Sequence, residues 1–387
     1  MKLKITYLII LVSLQSCVDR IELQSIASVQ TLVVDASFND LPGEQTVILS
    51  ESFDLDEPLG SKVSGAVIWV EDEDGGRIDF EEAEVGTFRA GPEVKAEIGR
   101  KYRLHIELEG EKYESDWEEV PSPFPMDSLY ARLLDVPSQN GGSEEGLQFF
   151  IDAAFQEEDV AYFRYAWKSA FKIMTPFVSP FEWDFEQDSL LLREQPLNIC
   201  YSSRDGATRV ITTTEGLTQN VISELPVHFV AGGSLSLRTE FALTIKQFSI
   251  NANAFNYYKR LRENNESAGS FFDRQRGAIN GNIQSVTNPD IPVLGYFEVA
   301  SVAEIGEIFD PSRFAVNNIL YPGCVPALDL DTVTFDELPE YMRIYRNLRL
   351  ISNSIDVDLY LIVDKPCADC TNLGELEKPE WWIELEN

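Results

Sequence analysis

An uninterrupted alternation of apolar and polar side chains runs through Tyr102-Arg103-Leu104-His105-Ile106-Glu107-Leu108-Glu109. Successive side chains of a β-strand point to opposite faces of its sheet, so the pattern predicts a strand with one buried and one solvated face. His105 falls on the polar face, where we expect an ordinary exposed histidine. The stretch therefore predicts a sheet that packs a core on one side only.

Shorter segments before this strand also have the composition of strands. They are residues 31–38, 45–50, 66–70 and 77–80, and turn residues such as Pro42-Gly43 separate them. The continuous apolar run at 66–70 is typical of a strand buried on both faces. Several short strands at this spacing predict an immunoglobulin-like β-sandwich domain over residues 30–120.

Three prolines, Pro121, Pro123 and Pro125, follow this region. Proline cannot donate a hydrogen bond within a central strand, so we place a domain boundary here. Residues 126–387 are predicted to form a larger β-rich domain. Its longest alternating pattern, at residues 235–245, predicts a further strand.

Two helices are predicted in this larger domain. Asn251 or Asn253 is a suitable cap for a helix near residues 252–264. The sequence Thr334-Phe335-Asp336-Glu337 has the form of a capping box, which predicts a second helix near residues 335–348. The fold class predicted from sequence is therefore mainly β with a few helices.

An irregular aromatic segment interrupts the β pattern of the larger domain. Phe177, Phe181, Trp183 and Phe185 occur among prolines without a regular period. Aromatic side chains on such a segment can form a contact surface for a partner protein. They can equally belong to a loop folded over the core. The sequence leaves both interpretations open.

The acidic composition limits the choice of partner. The chain has 65 acidic and 31 basic residues, for a net charge of -34. Such a surface repels phosphate backbones and anionic lipid head groups, so nucleic acid is excluded as a partner. Solubility is the preferred explanation of the charge, ahead of cation attraction.

Catalytic and metal-binding motifs were not found. The chain has only two histidines, His105 and His228, which argues against a histidine metal site and against most acid-base chemistry based on histidine. Gly-x-Ser-x-Gly elbows and phosphate-binding glycine loops are also missing from the sequence. We predict that the protein is not an enzyme and has no cofactor, although a pair of carboxylates acting on polysaccharide is compatible with the sequence.

Four of the five cysteines are candidates for disulfide bonds: Cys200, Cys324, Cys367 and Cys370. Four cysteines in an exported protein permit three connectivities, which sequence does not distinguish. The spacing Cys367-Ala368-Asp369-Cys370 also occurs in zinc sites and redox pairs. Structural disulfides are preferred because no second closely spaced pair would complete a zinc site.

The first 22 residues indicate export and lipid attachment. Lys2 and Lys4 precede a short apolar run, as in a secretory signal peptide. Leu14-Gln15-Ser16-Cys17 resembles a bacterial lipobox, which predicts a signal peptide at 1–16, lipidation of Cys17 and a tether at 17–29. An ordinary signal peptide with an unrelated cysteine is the alternative.

Several later motifs resemble one protein family. They are Leu32-Val33-Val34-Asp35, Asn280-Gly281-Asn282-Ile283, Val293-Leu294-Gly295-Tyr296-Phe297, Cys367-Ala368-Asp369-Cys370 and Pro379-Glu380-Trp381-Trp382. Together they are similar to the family called domain of unknown function 4249. The resemblance implies an outer-membrane lipoprotein of a Gram-negative bacterium, often encoded beside a TonB-dependent receptor. It carries over no catalytic residue. We interpret the Asn-Gly-Asn motif as a turn with unusual backbone angles.

The preferred hypothesis is a surface-exposed outer-membrane lipoprotein. Lipid on Cys17 would hold it in the membrane, and Asp19 and Glu22 resemble the surface-export signals of some lipoproteins. Its expected role is that of an accessory partner of a TonB-dependent transporter, capturing or capping the substrate. A structural or adhesive cell-surface protein is the alternative, and an enzyme acting on polysaccharide ranks last.

Overall fold

A computed structural model describes residues 31–52, 61–137, 141–155, 161–267, 279–314, 324, 331–344, 348–353 and 359–386. The predicted signal peptide, Cys17 and the tether lie outside the described residues. Strands make up 52% of the described residues and helices 12%, which confirms the predicted mainly-β class. The immunoglobulin-like form of the first region stays a prediction.

The strands follow one another in chain order as β1 (Leu32–Asn39), β2 (Thr46–Glu51), β3 (Val67–Asp72), β4 (Arg77–Glu84), β5 (Thr87–Arg89), β6 (Lys101–Leu108), β7 (Glu111–Ser115), β8 (Glu118–Glu119), β9 (Ser128–Pro137), β10 (Ser143–Ala154), β11 (Tyr162–Met174), β12 (Phe181–Asp184), β13 (Ser189–Leu192), β14 (Ile199–Thr213), β15 (Val221–Ala231), β16 (Phe241–Ile250), β17 (Ile283–Ser285), β18 (Leu294–Phe309), β19 (Asp331–Thr334), β20 (Leu348–Asn353) and β21 (Leu359–Asp364). The α-helices are α1 (Ala252–Ser267), α2 (Leu338–Ile344) and α3 (Glu380–Glu386). Short 3-10 helices occur at Leu235–Leu237, Pro311–Phe314 and Lys365–Cys367.

The helices agree in part with the sequence predictions. Helix α1 forms where expected, and Asn251 caps it by accepting a hydrogen bond from the amide of Ala254 at 2.9 Å. Helix α2 is shorter than the predicted 335–348, because β20 begins at Leu348. Within the described residues, every helix is too short or too polar to cross a bilayer.

A mixed sheet of thirteen strands forms the body of the protein. Its order is β14-β11-β16-β18-β1-β2-β5-β4-β3-β6-β7-β17, and β8 pairs with β6. The parallel pairing of β1 with β18 joins the first strand of the chain to the later half. Strands from both sides of the proline segment 121–125 therefore share one sheet. The division into domains at this segment stays a prediction.

Two main cores flank this sheet. In the first half, one core contains Val34 of β1, Leu49 of β2, Ile68 of β3 and Leu104 of β6. In the second half, the small sheet β15-β10-β9 packs its apolar side chains, among them Phe149, against β11 and β16. The alternation at residues 102–109 is thus confirmed as a strand with one buried face.

Two strand predictions need correction. The alternation at 235–245 begins as a 3-10 helix, in which the Ser234 hydroxyl accepts a hydrogen bond from the Ser236 amide at 3.3 Å, and β16 begins only at Phe241. Serine side chains compete with extended pairing in this way. Residues 66–70 are not buried on both faces, since Val67 is 51% exposed on the outer face of the sheet.

Helices cover the two ends of one sheet face. Side chains of α1 pack with Ala166 of β11 and Phe248 of β16. Trp382 of α3 contacts Ala170 and Ala242. Ala170 lies four residues after Ala166 in β11, and Ala242 lies six residues before Phe248 in β16. Even spacing along a strand keeps these positions on the same face. Two clefts lie beside these two helices.

Candidate functional site

The first cleft, here called the asparagine cleft, lies at the start of α1. It has a volume of about 360 Å³ and is lined by Asp116, Asn253, Asn256, Tyr257, Arg260 and Asn280, with Tyr296 at its base. The four helix residues are three, four and seven positions apart, so they share one side of α1. Small-ligand sites in proteins start at roughly this size.

Gly281 allows the chain to pass close to the sheet beside this cleft. A Cβ atom on Gly281 would lie 1.5 Å from the carbonyl oxygen of Gly295, so only glycine fits. The positive φ of +105° belongs to Gly295 and not to Gly281. The interpretation of the Asn-Gly-Asn motif as a turn with unusual angles is therefore wrong: the motif needs glycine for close backbone approach.

The two asparagines beside Gly281 have different environments. Asn280 is exposed in the cleft, whereas Asn282 is 8% exposed. The Asn282 side chain accepts a hydrogen bond from the amide of Phe297 at 2.8 Å and donates to its carbonyl at 2.9 Å. Asn282 thus attaches the Asn-Gly-Asn segment to β18, and this attachment holds Asn280 at the rim of the cleft.

Glu118 connects the elements beneath the cleft. It is 2% exposed, and one carboxylate oxygen accepts hydrogen bonds from the Asn282 amide at 2.9 Å and the Tyr296 hydroxyl at 2.8 Å. The other oxygen accepts from the side-chain amide of Asn251, the cap of α1. Burial raises the pKa of Glu118 to about 7 despite these donors. The carboxylate links α1, the Asn-Gly-Asn segment and β18.

A buried ion pair supports α1 from the sheet side. Arg164 donates two hydrogen bonds to Glu298, at 2.8 and 2.6 Å, and Glu298 is 1% exposed. The guanidinium also lies 4.0 Å from the ring centre of Phe248 and 5.4 Å from that of Tyr258. Burial opposes the charge, but the combined interactions with Glu298, Tyr258 and Asp35 outweigh it, so the pKa of Arg164 lies above its usual value.

The groups that line the asparagine cleft remain available to a ligand. The side-chain amides of Asn253, Asn256 and Asn280 make no hydrogen bond to any residue that the structure describes. Arg260 and Asp116 likewise form no ion pair within that part of the chain. The cleft therefore combines a rigid base with unoccupied donors and acceptors at its rim.

The second cleft, here called the tryptophan cleft, lies on the same sheet face beside α3. It has a volume of about 580 Å³ and its lining includes Glu44, Lys168, Asp205, Lys246 and Trp381. Lys246 donates to Glu44 at 2.6 Å and also pairs with Glu304 at 3.0 Å. The Lys168 ammonium lies 5.1 Å from the ring centre of Trp381. Two of the charged groups that line this cleft, Lys246 and Glu44, thus already contact each other, and Lys168 contacts an aromatic ring.

The predicted partner-contact residues occupy different environments. Trp183 is 7% exposed and packs with Val333, Leu338, Met342 and Ile362, while Phe181 lies partly buried against the same cluster. Phe177 packs beside Cys367, and Phe185 is 45% exposed. For Trp183 and Phe181 the structure corresponds to the alternative interpretation, a segment folded over a core.

The four candidate cysteines form two disulfides. Cys200 bonds to Cys370, and Cys324 bonds to Cys367. The two cysteines of the Cys-x-x-Cys spacing thus belong to different bridges. No set of three metal-binding side chains is found in the ranges that the structure covers.

The two histidines have different surroundings. His105 is on the polar sheet face as predicted, but it is covered: it stacks on Trp69 with 4.9 Å between ring centres and contacts Glu71 at 2.9 Å. His228 packs against Trp167, and burial lowers its pKa to about 4. His228 is therefore neutral near pH 7.

Sequence reasoning missed most residues of both clefts. Glu118 stands in an acidic run, Asp116-Trp117-Glu118-Glu119, in which nothing distinguishes it from its neighbours. The sequence interpretation of the Asn-Gly-Asn motif is purely local and does not place it beside a cleft. The spacing of Asn253, Asn256 and Arg260 along a predicted helix was a usable signal, because it places three polar side chains on one side.

This geometry defines a class of mainly-β protein that is built on one large mixed sheet. The protein has two disulfides, and two polar clefts lie on one face of the sheet. The chain belongs to the family described as Domain of unknown function (DUF4249), whose model matches residues 18–305. Every residue of the asparagine cleft lies within this range, whereas Trp381 lies beyond it.

Comparisons with individual proteins add little. No curated protein matches the chain. One solved structure, described as "Biofilm associated protein - BSP domain", is similar at 6% identity with a TM-score of 0.12, over 71% of this chain and 58% of that chain. The chain thus spans less than two thirds of that structure, and a likeness of this size carries no argument.

Proposed function

We propose that this protein is an exported lipoprotein of the outer-membrane surface, anchored through lipid on Cys17, that acts as an accessory binding partner of a TonB-dependent receptor. The lipobox-like sequence Leu14-Gln15-Ser16-Cys17 carries the proposal. Acyl chains contribute about 0.8 kcal/mol for each buried methylene, so two or more chains would attach the protein durably.

The cysteine pairing supports this assignment. Four of the five cysteines are joined in two disulfides, which leaves Cys17 without a cysteine of this chain to bond. Disulfides persist in oxidising compartments outside the cytosol. Both observations agree with an exported chain whose remaining cysteine is available for lipidation.

The anchor is tested by mass spectrometry of the mature N-terminus after growth on labelled palmitate. We expect the mature chain to begin at Cys17 and to carry label, and Cys17→Ala to abolish both. Cys200→Ala serves as the control, because it removes a thiol that belongs to a disulfide. A mature end at another residue, without label, contradicts the proposal.

The receptor partnership needs a separate measurement. We expect the solubilised protein to co-purify with a TonB-dependent receptor, and protease added to intact cells to cleave it. Repeated purification without such a receptor would exclude the partnership, while resistance to the protease would exclude the outward-facing position.

A further inference from the structure

We propose that the asparagine cleft binds a neutral saccharide. The proposal adds a ligand class to the function above but rests on the cleft alone, so saccharide binding and receptor co-purification can fail independently. The first observation that supports saccharide binding is the balance of charged side chains in the cleft. Arg260 and Asp116 balance each other among the lining residues, although the whole chain carries a net charge of -34. A cleft without net charge favours an uncharged ligand.

The lining groups match the hydrogen bonding of sugar hydroxyls. Each sugar hydroxyl both donates and accepts, and each asparagine amide offers two donors and an acceptor. Asn253 and Asn256 present these groups from α1, and Asn280 presents them from the opposite wall. Because none of the three amides bonds to another described residue, a ligand need not displace an existing internal contact.

An aromatic pair forms the base of the cleft. Tyr257 stacks on Tyr296 with 4.9 Å between ring centres and an angle of 30°. The Tyr296 hydroxyl donates to the buried Glu118, which fixes the lower ring. Sugars have apolar C–H faces as well as hydroxyls, so an aromatic surface bordered by amides is complementary to them.

The cleft is also held in one shape before any ligand arrives. Asn282 holds the segment that carries Asn280 against β18, and Glu118 binds both Asn282 and Asn251, the cap of α1. Both walls therefore connect to a single buried carboxylate. Preorganised groups lose less conformational entropy on binding, which favours ligands that offer many weak hydrogen bonds.

A peptide is a less suitable ligand for this cleft. Peptide recognition relies on apolar pockets for side chains or on pairing with an exposed strand. None of the described residues that line the asparagine cleft has an aliphatic side chain, and α1 forms one wall. Polar ligands with hydroxyl groups fit this lining better.

The test is affinity electrophoresis of the mature protein in gels containing dextran, soluble starch, laminarin or galactomannan, with polygalacturonate as the acidic comparison. We expect at least one neutral polysaccharide to retard the protein. The variant Asn253→Ala/Asn280→Ala should raise the apparent Kd at least about tenfold, because each lost hydrogen bond accounts for roughly a fivefold change.

The matched control is Gln284→Ala. It removes an exposed side-chain amide on β17, two residues after Asn282 and outside the cleft, and should leave retardation unchanged. Thermal unfolding checks that every variant is folded. The proposal is overturned if no neutral polysaccharide retards the protein, if polygalacturonate retards it most, or if the double variant behaves as the wild type. Retention on immobilised casein peptides without any retardation would identify a peptide site instead.

Discussion

The two clefts share one sheet face but satisfy their polar groups in opposite ways. In the asparagine cleft the buried groups Glu118 and Asn282 bond to each other, while the rim amides bond to no described residue. In the tryptophan cleft the Lys246 ammonium forms ion pairs with Glu44 and Glu304. The first arrangement leaves rim groups available to a ligand, and the second uses its lysine in contacts within the protein.

Because of this difference, the volume of a cleft does not indicate how many groups it offers to a ligand. The tryptophan cleft is the larger, at about 580 Å³ against about 360 Å³. A ligand that binds Lys246 there must compete with ion pairs that this lysine already makes. The smaller cleft instead has a buried support and a free rim, and buried polar networks of this kind hold a structure in one arrangement when every member is satisfied.

The largest expected effect comes from the ion pair beneath α1. Arg164→Met keeps much of the side-chain volume but leaves the carboxylate of Glu298, 1% exposed, without its partner. We expect the free energy of unfolding to fall by about 4 kcal/mol, since an uncompensated buried charge typically costs 3–5 kcal/mol. Urea denaturation of the purified variant measures this change.

Lys246→Met is the corresponding change in the tryptophan cleft. Its partners Glu44 and Glu304 have side chains that are 42% and 35% exposed, so water can solvate them when the lysine is lost. We expect a loss of only about 1 kcal/mol. Equal losses for the two variants would contradict the distinction between a buried support and a solvated set of ion pairs.

The next effect is a dependence of stability on pH that originates in Glu118. Burial raises the pKa of this carboxyl from 4.5 to about 7 in the folded protein, so the folded state holds the proton more tightly than the unfolded state. Its contribution is therefore complete below pH 4.5 and is lost as the pH rises through about 7. The full change is about 3 kcal/mol at 1.36 kcal/mol for each pKa unit.

Glu118→Gln removes this titration. The difference in unfolding free energy between wild type and variant should change by about 3 kcal/mol between pH 4.5 and 8. Glu119→Gln is the control, because it makes the same substitution at an exposed neighbour. If the difference in unfolding free energy stays constant across that pH range, Glu118 does not titrate there in the folded protein. The Glu118 carboxylate would then be ionised throughout the range.

Local patterns predicted the strands well because strand periodicity is a property of neighbouring residues. The alternation at residues 102–109 identified β6 and its buried face, and Asn251 identified the start of α1. The pairing of β1 with β18 has no comparable signal. It joins segments more than 250 residues apart, and pairing over such distances depends on the whole fold.

The asparagine cleft could not be predicted from the sequence for a related reason. Glu118 becomes special only when Asn251, Asn282 and Tyr296 meet around it, and these residues lie 133, 164 and 178 positions away. The close approach of Gly281 to Gly295 is likewise a tertiary contact. The motif Asn280-Gly281-Asn282 is visible in the sequence, but its need for glycine follows only from the strand beside it.

A smaller effect than that of Glu118 is expected where the tryptophan cleft is attached to the sheet. The disulfide between Cys200 and Cys370 links β14 to the segment that leads to Trp381. The same segment is also held by two backbone hydrogen bonds between Tyr201 and Glu375, at 2.7 and 2.9 Å, and by the buried Trp382. We therefore expect Cys200→Ser/Cys370→Ser to lower the free energy of unfolding by about 2 kcal/mol, at the low end of the usual range.

Urea denaturation measures this loss, and Cys324→Ser/Cys367→Ser is the companion variant, because it removes the other bridge and leaves the link between β14 and Cys370 intact. Acrylamide quenching of tryptophan fluorescence should increase more in the first variant, since its bridge holds the segment that carries Trp381. Retardation by a neutral polysaccharide should be the same in both variants. Loss of retardation in the first variant alone would mean that the two clefts are coupled through the sheet, because the disulfide contacts no residue that lines the asparagine cleft.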